Sequence, residues 1–367
     1  MTDRTKRTEA FAKLGWGVFT HYIGFKPTTG NTRSGFKPQE TWNDRVNMMD
    51  TDKYAQTLHE VGAHYAFFVI MQGYKYMCAP NATFDRICGT KPGEACSERD
   101  LIADLIKSLK KYDIPLYLYF TGDGPYRDEV CGPKMGYYKR EEELVTYNFV
   151  KNWADVLQEY AERYGKDVHG WWIDGTYAYL GYNEDLLKLY RDAVLAGNPD
   201  AIVAFNKGGY SQRFYNDPRF LKYTEKYAHP MMKGNALYEA AANGDKEVME
   251  VAYKYFTLND SRYSEHEDFT SGEVAYFDEY PPEGGMVDGS RWHVLGFLGQ
   301  FEAANFSWRG VGWNALGSRY SGKEMHDYVK ACNAKGGVVS IDCYLFDDGS
   351  FDKGQMEVLR QIEKGNY

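Results

Sequence analysis

Along the chain, short apolar runs rich in β-branched and aromatic residues alternate with longer amphipathic segments, and the alternation repeats with little break. LGWGVFTHY (14–22), HYAFFVIM (64–71), IPLYLYFTG (114–122), HGWWIDG (169–175) and AIVAFNK (201–207) have the length and composition of strands buried on both faces. Between them, DTDKYAQTLHEVG (50–62), SERDLIADLIKSLKKYD (97–113), EELVTYNFVKNWADVLQEYAERYG (142–165) and NEDLLKLYRDAVLAGN (183–198) carry apolar residues at helical spacing. Ser97 and Asp100 offer a cap and a first-turn acid to the second of these. Beyond 208 the pattern loosens into helical text over RFYNDPRFLKYTEKY and ALYEAAANGDKEVMEVAYKYF. A sixth strand is expected at RYSEHEDFT (262–270) and a seventh at RWHVLGFLG (291–299). SGKEMHDYVKACNAKGG is a helix that ends in two glycines, VVSIDCYLF an eighth strand, and DKGQMEVLRQIEKG a closing helix.

Eight strand–helix pairs with near-continuous apolar strands predict a parallel sheet covered by helices, and eight is the number that closes a barrel. The expected fold is α/β, a (β/α)8 TIM-like barrel. Such barrels run to about 250 residues and exceed 400 with insertions. All 367 residues therefore fit one domain with long βα loops at 23–49, 72–96, 123–141 and 208–261. No Pro/Gly/Ser linker marks a second domain, and no GxGxxG follows the first strand, which weakens the doubly wound alternative.

Composition adds exclusions. Hydrophobic residues at 43% and charged residues at 26% are ordinary globular values, so disordered and fibrous readings drop out. A net charge of -9 with no basic stripe argues against nucleic acid as a partner. The N-terminal stretch has no apolar core of signal-peptide length and no run is long enough to span a bilayer, so a cytoplasmic protein is expected, with no membrane partner. Six cysteines without a CxxC pair read as free thiols, and no cofactor or metal is expected; oligomeric state is not addressed by the sequence. The 32 tyrosines suit the stacking of sugars as well as a tyrosine-rich core.

In a barrel the active site forms at the C-terminal ends of the strands. That rule gathers His21 and Tyr22, Gln72, Asp123, Asp174, Asn206 and Lys207, the run Glu265–His266–Glu267–Asp268, Asp342 and Tyr344. So many carboxylates in one mouth point to acid/base or nucleophilic chemistry, or to a metal. An isolated aspartate at a strand end is often a cap or loop anchor, which fits Asp123 in TGDGP and Asp342. Asp174 stands apart because Gly175 follows it, leaving room beside the backbone, while Trp171 and Trp172 pack on opposite faces of the strand. Glu265 and Glu267 share a face if 263–268 is extended, with His266 on the other, so either is a candidate proton donor. SEHEDF also has ligand types for a divalent cation but lacks a partner HxH or HxxxH, which makes the metal reading the weaker one.

Three motifs in order resemble the family 29 alpha-L-fucosidases: GWGVFTHY with His21, WWIDG with Asp174, and KGGVVSIDCYLFDDGSF with Gly336, Gly337, Asp348 and Gly349. The resemblance implies a barrel whose nucleophile is Asp174 and whose first-strand histidine, His21, contacts the sugar. The chain departs from the family after strand two, where an adjacent His-His pair gives way to VIMQGYKYMCAPN, with Gln72 and Tyr74 in that neighbourhood. The C-terminal β-sandwich often found in the family is not expected here.

The expectation is a retaining, exo-acting glycoside hydrolase that removes a terminal deoxy sugar from a carbohydrate substrate. Asp174 is the expected nucleophile, Glu265 or Glu267 the acid/base, and His21, Tyr22, Gln72, Asp123, Trp172, Asn206 and His266 the surrounding sugar-binding set. Three rivals stand beside it: an inverting glycosidase using Asp123, a carbohydrate-binding barrel without catalysis, and a metal-dependent isomerase or lyase centred on SEHEDF.

Overall fold

The computed structural model describes residues 3–24, 40–140, 143–208, 259, 261–274, 276–300 and 312–365. Five parallel strands come first in the chain: β1 (Trp16–Thr20), β2 (Ala66–Val69), β3 (Leu116–Thr121), β4 (Val168–Asp174) and β5 (Ile202–Phe205). A short hairpin follows, β6 (Met286–Val287) with β7 (Ser290–Arg291), and then β8 (His293–Phe297) and β9 (Val338–Cys343). The main sheet has seven parallel strands in the order β5-β4-β3-β2-β1-β9-β8, curled as in a (β/α)8 barrel.

The place of a sixth barrel strand, between β5 and β8, is filled several residues later than the pattern predicts. Glu265 and His266 form a turn, and Tyr263 packs against the outer core with its hydroxyl on the Thr176 carbonyl at 2.7 Å. The chain joins the barrel at Asp268, whose amide donates to the Val203 carbonyl at 2.7 Å. It then runs beside β7 and β8, with Thr270 N on Arg291 O at 2.9 Å and Val274 N on Leu295 O at 2.9 Å. A regular ladder to β5 cannot form, because the Asp268 carboxylate, rather than a backbone carbonyl, takes the Val203 N–H at 3.0 Å. The segment 268–274 is therefore an irregular sixth stave, and its mouth end is Glu273, not Glu267.

Helix α1 (Asp3–Leu14) closes the opposite end of the barrel. Its Phe11 is buried against Tyr65, Tyr117 and Phe269, each at 5.1 Å between ring centroids, and against His293 at 5.7 Å. His293 lies wholly inside, with Nδ1 at the Thr270 carbonyl and Nε2 at the Ser340 hydroxyl, and burial lowers its pKa to about 4, so the ring is neutral.

Outside the sheet lie α2 (Trp42–Met48), α3 (Thr51–Val61), α4 (Ala82–Cys88), α5 (Leu101–Leu109), α6 (Cys131–Met135), α7 (Tyr147–Tyr164), α8 (Glu184–Gly197), α9 (Gly322–Ala334) and α10 (Lys353–Lys364). Side-chain caps fix where the long ones begin. Asp100 accepts the Ala103 amide at the start of α5, whereas the Ser97 hydroxyl is spent on the Arg99 carbonyl. Thr146 accepts the Phe149 amide, so α7 starts at Tyr147 and not at 142. Trp171 faces this outer layer and Trp172 the barrel interior, as the alternation along β4 requires.

All six cysteines are buried and unpaired. Among the described residues, no helix is long and apolar enough to cross a membrane.

Candidate active site

Asp174 ends β4 half-buried, and its hydrogen-bond donors among the described residues are all neutral. Oδ2 accepts the Tyr119 hydroxyl at 2.6 Å; Oδ1 accepts the Tyr177 hydroxyl at 3.1 Å and the Asn206 amide at 2.8 Å. Each donor has its own reason to be there. Tyr119 lies on the adjacent strand, stacked on Trp172 at 5.5 Å, and Trp172 is held in turn by its Nε1 on the Ser271 carbonyl at 2.9 Å. Asn206 follows β5 and is fixed through its amide on Ile173 O at 2.8 Å. Three neutral donors orient this carboxylate, and none of them brings a compensating positive charge.

The Asn206 Nδ2 makes a second bond, to Glu273 Oε2 at 2.6 Å. The nearest oxygens of Asp174 and Glu273 thus lie no farther apart than those two bonds, 2.8 and 2.6 Å, laid end to end. Burial, reinforced by the Asp174 charge, pushes the Glu273 carboxyl up to about 8, against the pull of Asn206 and Arg140. One carboxyl is protonated at neutral pH beside another held as an acceptor, the asymmetry that acid-plus-nucleophile chemistry uses.

Asp123 supports this constellation from behind. It is 1% exposed, accepts the Thr121 hydroxyl at 2.5 Å and pairs with Arg140 Nε at 3.1 Å. The space beside Gly175 that the sequence suggests for a ligand is filled by this side chain, since a Cβ on Gly175 would sit 2.5 Å from Asp123 Cγ. Gly175 also has φ +68°, so two constraints select glycine there. Arg140 spans from Asp123 to the ring of Tyr177 at 4.6 Å, which braces the tyrosine that donates to Asp174.

His21 stands on the facing side of the mouth. Its Nδ1 lies 2.7 Å from Asp342 Oδ1, and its ring neighbours Phe19, Tyr119 and Trp313. Gln72 follows β2 half-buried. Tyr22 turns away from the mouth: it is buried between Trp42 and Phe68, with its hydroxyl on the carbonyls of Arg45 at 2.6 Å and Asp347 at 2.9 Å.

The SEHEDF residues are dispersed rather than gathered at Asp174. Glu265 and His266 are in the outer turn, where His266 Nε2 is 3.8 Å from Glu184 and 3.7 Å from Glu265. Glu184, Glu265 and His266 bring ligand-type atoms within 4.8 Å of one another, at positions that include two exposed glutamates. Glu267 is buried and accepts the Tyr263 amide at 3.1 Å; burial pushes it up to about 8, against the pull of that amide and of Lys207, Arg262 and Arg4. Asp268 is locked among arginines. Sequence reasoning missed Glu273, Tyr119 and Tyr177. Glu273 obeys the strand-end rule, but SGEV lacks the β-branched run that would have marked it as the end of a strand.

No family model matches the chain, and no curated protein matches its sequence. Solved structures do match its fold. An alpha-L-fucosidase of family GH29 from Bacteroides thetaiotaomicron aligns over 100% of this chain and 74% of its own, at 14% identity and a TM-score of 0.60. Alpha-L-fucosidase isoenzyme 1 from Paenibacillus thiaminolyticus aligns over 98% and 75%, at 17% identity and 0.58. An endo-fucoidan hydrolase of glycoside hydrolase family 107 aligns over 95% and 90%, at 15% identity and 0.61. The fold is similar to that of these fucoside-cleaving barrels.

Proposed function

We propose that the protein is a retaining glycoside hydrolase that removes a terminal α-L-fucose or related deoxy sugar, with Asp174 as nucleophile and Glu273 as acid/base. One observation carries the reading: a single Asn206 nitrogen bonds both carboxyl groups, at 2.8 and 2.6 Å. Retaining enzymes hold their carboxyl groups about 5–5.5 Å apart, and inverting enzymes leave about 6.5–9.5 Å for a water. Asp123, turned to Arg140 behind Gly175, gives the inverting alternative no support. The likeness of the fold to fucosidases and a fucoidan hydrolase supports the sugar class.

In this reading an Asp174 oxygen attacks the anomeric carbon as the glycosidic C–O bond breaks, and Glu273 gives its proton to the departing oxygen. Glu273, now ionised, takes a proton from a water that attacks the same carbon and frees Asp174. Tyr119, Tyr177 and Asn206 hold the nucleophile in line, while His21 Nε2 bonds a sugar hydroxyl.

The test is a panel of nitrophenyl glycosides, alpha-L-fucoside included, with the wild type and Asp174→Ala side by side. Release from one glycoside, reduced at least about 10³-fold by the substitution, is expected. Equal rates in both proteins remove Asp174 from the mechanism. No release from any glycoside, with sugar binding intact, moves the protein to the non-catalytic class.

A further inference from the structure

Asp342, next to last in β9, is almost fully buried, and both of its oxygens are engaged: Oδ1 lies 2.7 Å from His21 Nδ1, and Oδ2 accepts the Asn314 backbone amide at 2.7 Å. A backbone N–H only donates, so the Oδ2 bond fixes which way the carboxylate serves the loop. A carboxylate that accepts on both oxygens leaves the ring nitrogen Nδ1 to supply the hydrogen. The ring cannot swing away, since Phe19, Tyr119 and Trp313 stand 5.0, 6.3 and 6.1 Å from it. Nε2 has no partner among the described residues, and the His21 side chain keeps 9% exposure. It belongs to the aromatic floor whose Tyr119 hydroxyl reaches Asp174 at 2.6 Å.

We propose that Asp342 is a positioning residue that fixes His21 as the Nδ1–H tautomer, so that Nε2 meets the substrate as a hydrogen-bond acceptor and selects a sugar with a free hydroxyl at that position. The choice of hydroxyl as ligand rests on the glycosidase reading; the tautomer does not. An asparagine at 342 is the same shape with the opposite message. Its carbonyl oxygen must face the Asn314 N–H, so its NH2 faces Nδ1, which then has to accept, and the hydrogen moves to Nε2. Asp342→Asn thus reverses the polarity of the nitrogen that greets the sugar without emptying any space.

The experiment uses the 15N-labelled full chain without sugar, at a pH high enough to keep the ring neutral. Ring 15N shifts of His21 are assigned by their disappearance in His21→Gln. The wild type is expected to carry its hydrogen on Nδ1 and Asp342→Asn on Nε2. A wild type protonated on Nε2 overturns the proposal, and so does an Asp342→Asn protein that keeps the wild-type tautomer. Should Asp342→Asn not fold, the wild-type spectrum decides alone. With the nitrophenyl glycoside that the wild type cleaves, the flipped tautomer is expected to lower kcat/KM about ten- to a hundredfold, mostly through KM. An unchanged KM with a flipped tautomer overturns the substrate contact. A wild type that cleaves no glycoside defeats the hydrolase reading and leaves the tautomer result standing.

Discussion

Asp174 and Asp268 are two aspartates of the same barrel, both held by several donors, and the donors are of opposite kinds. Asp268 has no exposure and sits among cations: Arg7 at 2.8 Å, Arg191 in direct contact and Arg4 at 3.9 Å, with the Val203 amide at 3.0 Å. Two of those arginines come from α1, so the carboxylate ties the end helix to the sixth stave and to α8. Asp174 meets two phenols and an amide, and among the described residues no cation touches it. Cationic partners consume a charge, whereas neutral donors orient it and leave it able to attack an electrophile. Partner type therefore separates the aspartate tied into the scaffold from the proposed nucleophile more sharply than burial does.

The largest effect that sharpens this contrast is expected from Glu273→Gln. Loss of the proton donor lowers kcat about 10²–10⁴-fold, less for glycosides whose leaving group needs no proton. With its pKa raised to about 8, Glu273 keeps its proton at neutral pH and loses it above that value, so in the proposed mechanism wild-type kcat/KM falls as pH rises through about 8. The variant lacks that alkaline limb; a limb that persists in Glu273→Gln assigns the proton donor elsewhere. Asp268→Asn acts on stability instead. Stripping the carboxylate from three arginines costs about 3–5 kcal/mol, read as a lower urea midpoint, while the rate per folded molecule stays the same. Lost turnover at unchanged stability would break the comparison.

Much of the barrel was legible because buried parallel strands announce themselves. β1 to β5, β8 and β9 fall within the predicted apolar runs, and His21, Asp174 and Asn206 stand where the strand-end rule put them. The sixth stave was not legible. RYSEHEDFT carries aromatic and β-branched residues at its ends, but the barrel takes in only its last three, and it continues through Ser271, Gly272 and Glu273, which carry no strand signal. That displacement puts Glu273, rather than Glu265 or Glu267, at the mouth end of the stave beside Asn206. Tyr22 was misplaced for a simpler reason: its side chain leaves the strand end on the helix-facing side, into the packing of Trp42 and Phe68. Tyr119 was hidden in an apolar run, where only its hydroxyl distinguishes it from Phe120 beside it.

The smallest effect separates the two glutamates whose carboxyls are both raised to about 8. Glu267 has one oxygen on the Tyr263 amide and its buried Oε2 without a hydrogen-bond partner among the described residues, so it carries the cost of burial with little return. Because its folded pKa lies above the usual 4.5, the folded protein binds more protons than the unfolded chain between about 4.5 and 8, and stability falls as pH rises through that window. Glu267→Gln removes this slope. The variant is expected to gain on the wild type as pH rises from about 5 to about 8, by on the order of 1–2 kcal/mol once relaxation is allowed for, with turnover at neutral pH unchanged. Thermal melts across that range measure the first part and the glycoside assay the second. A Glu267→Gln protein that melts with the wild-type pH slope but loses turnover would hand the acid/base role to Glu267, and the bond from Asn206 to Glu273 would then be scaffolding.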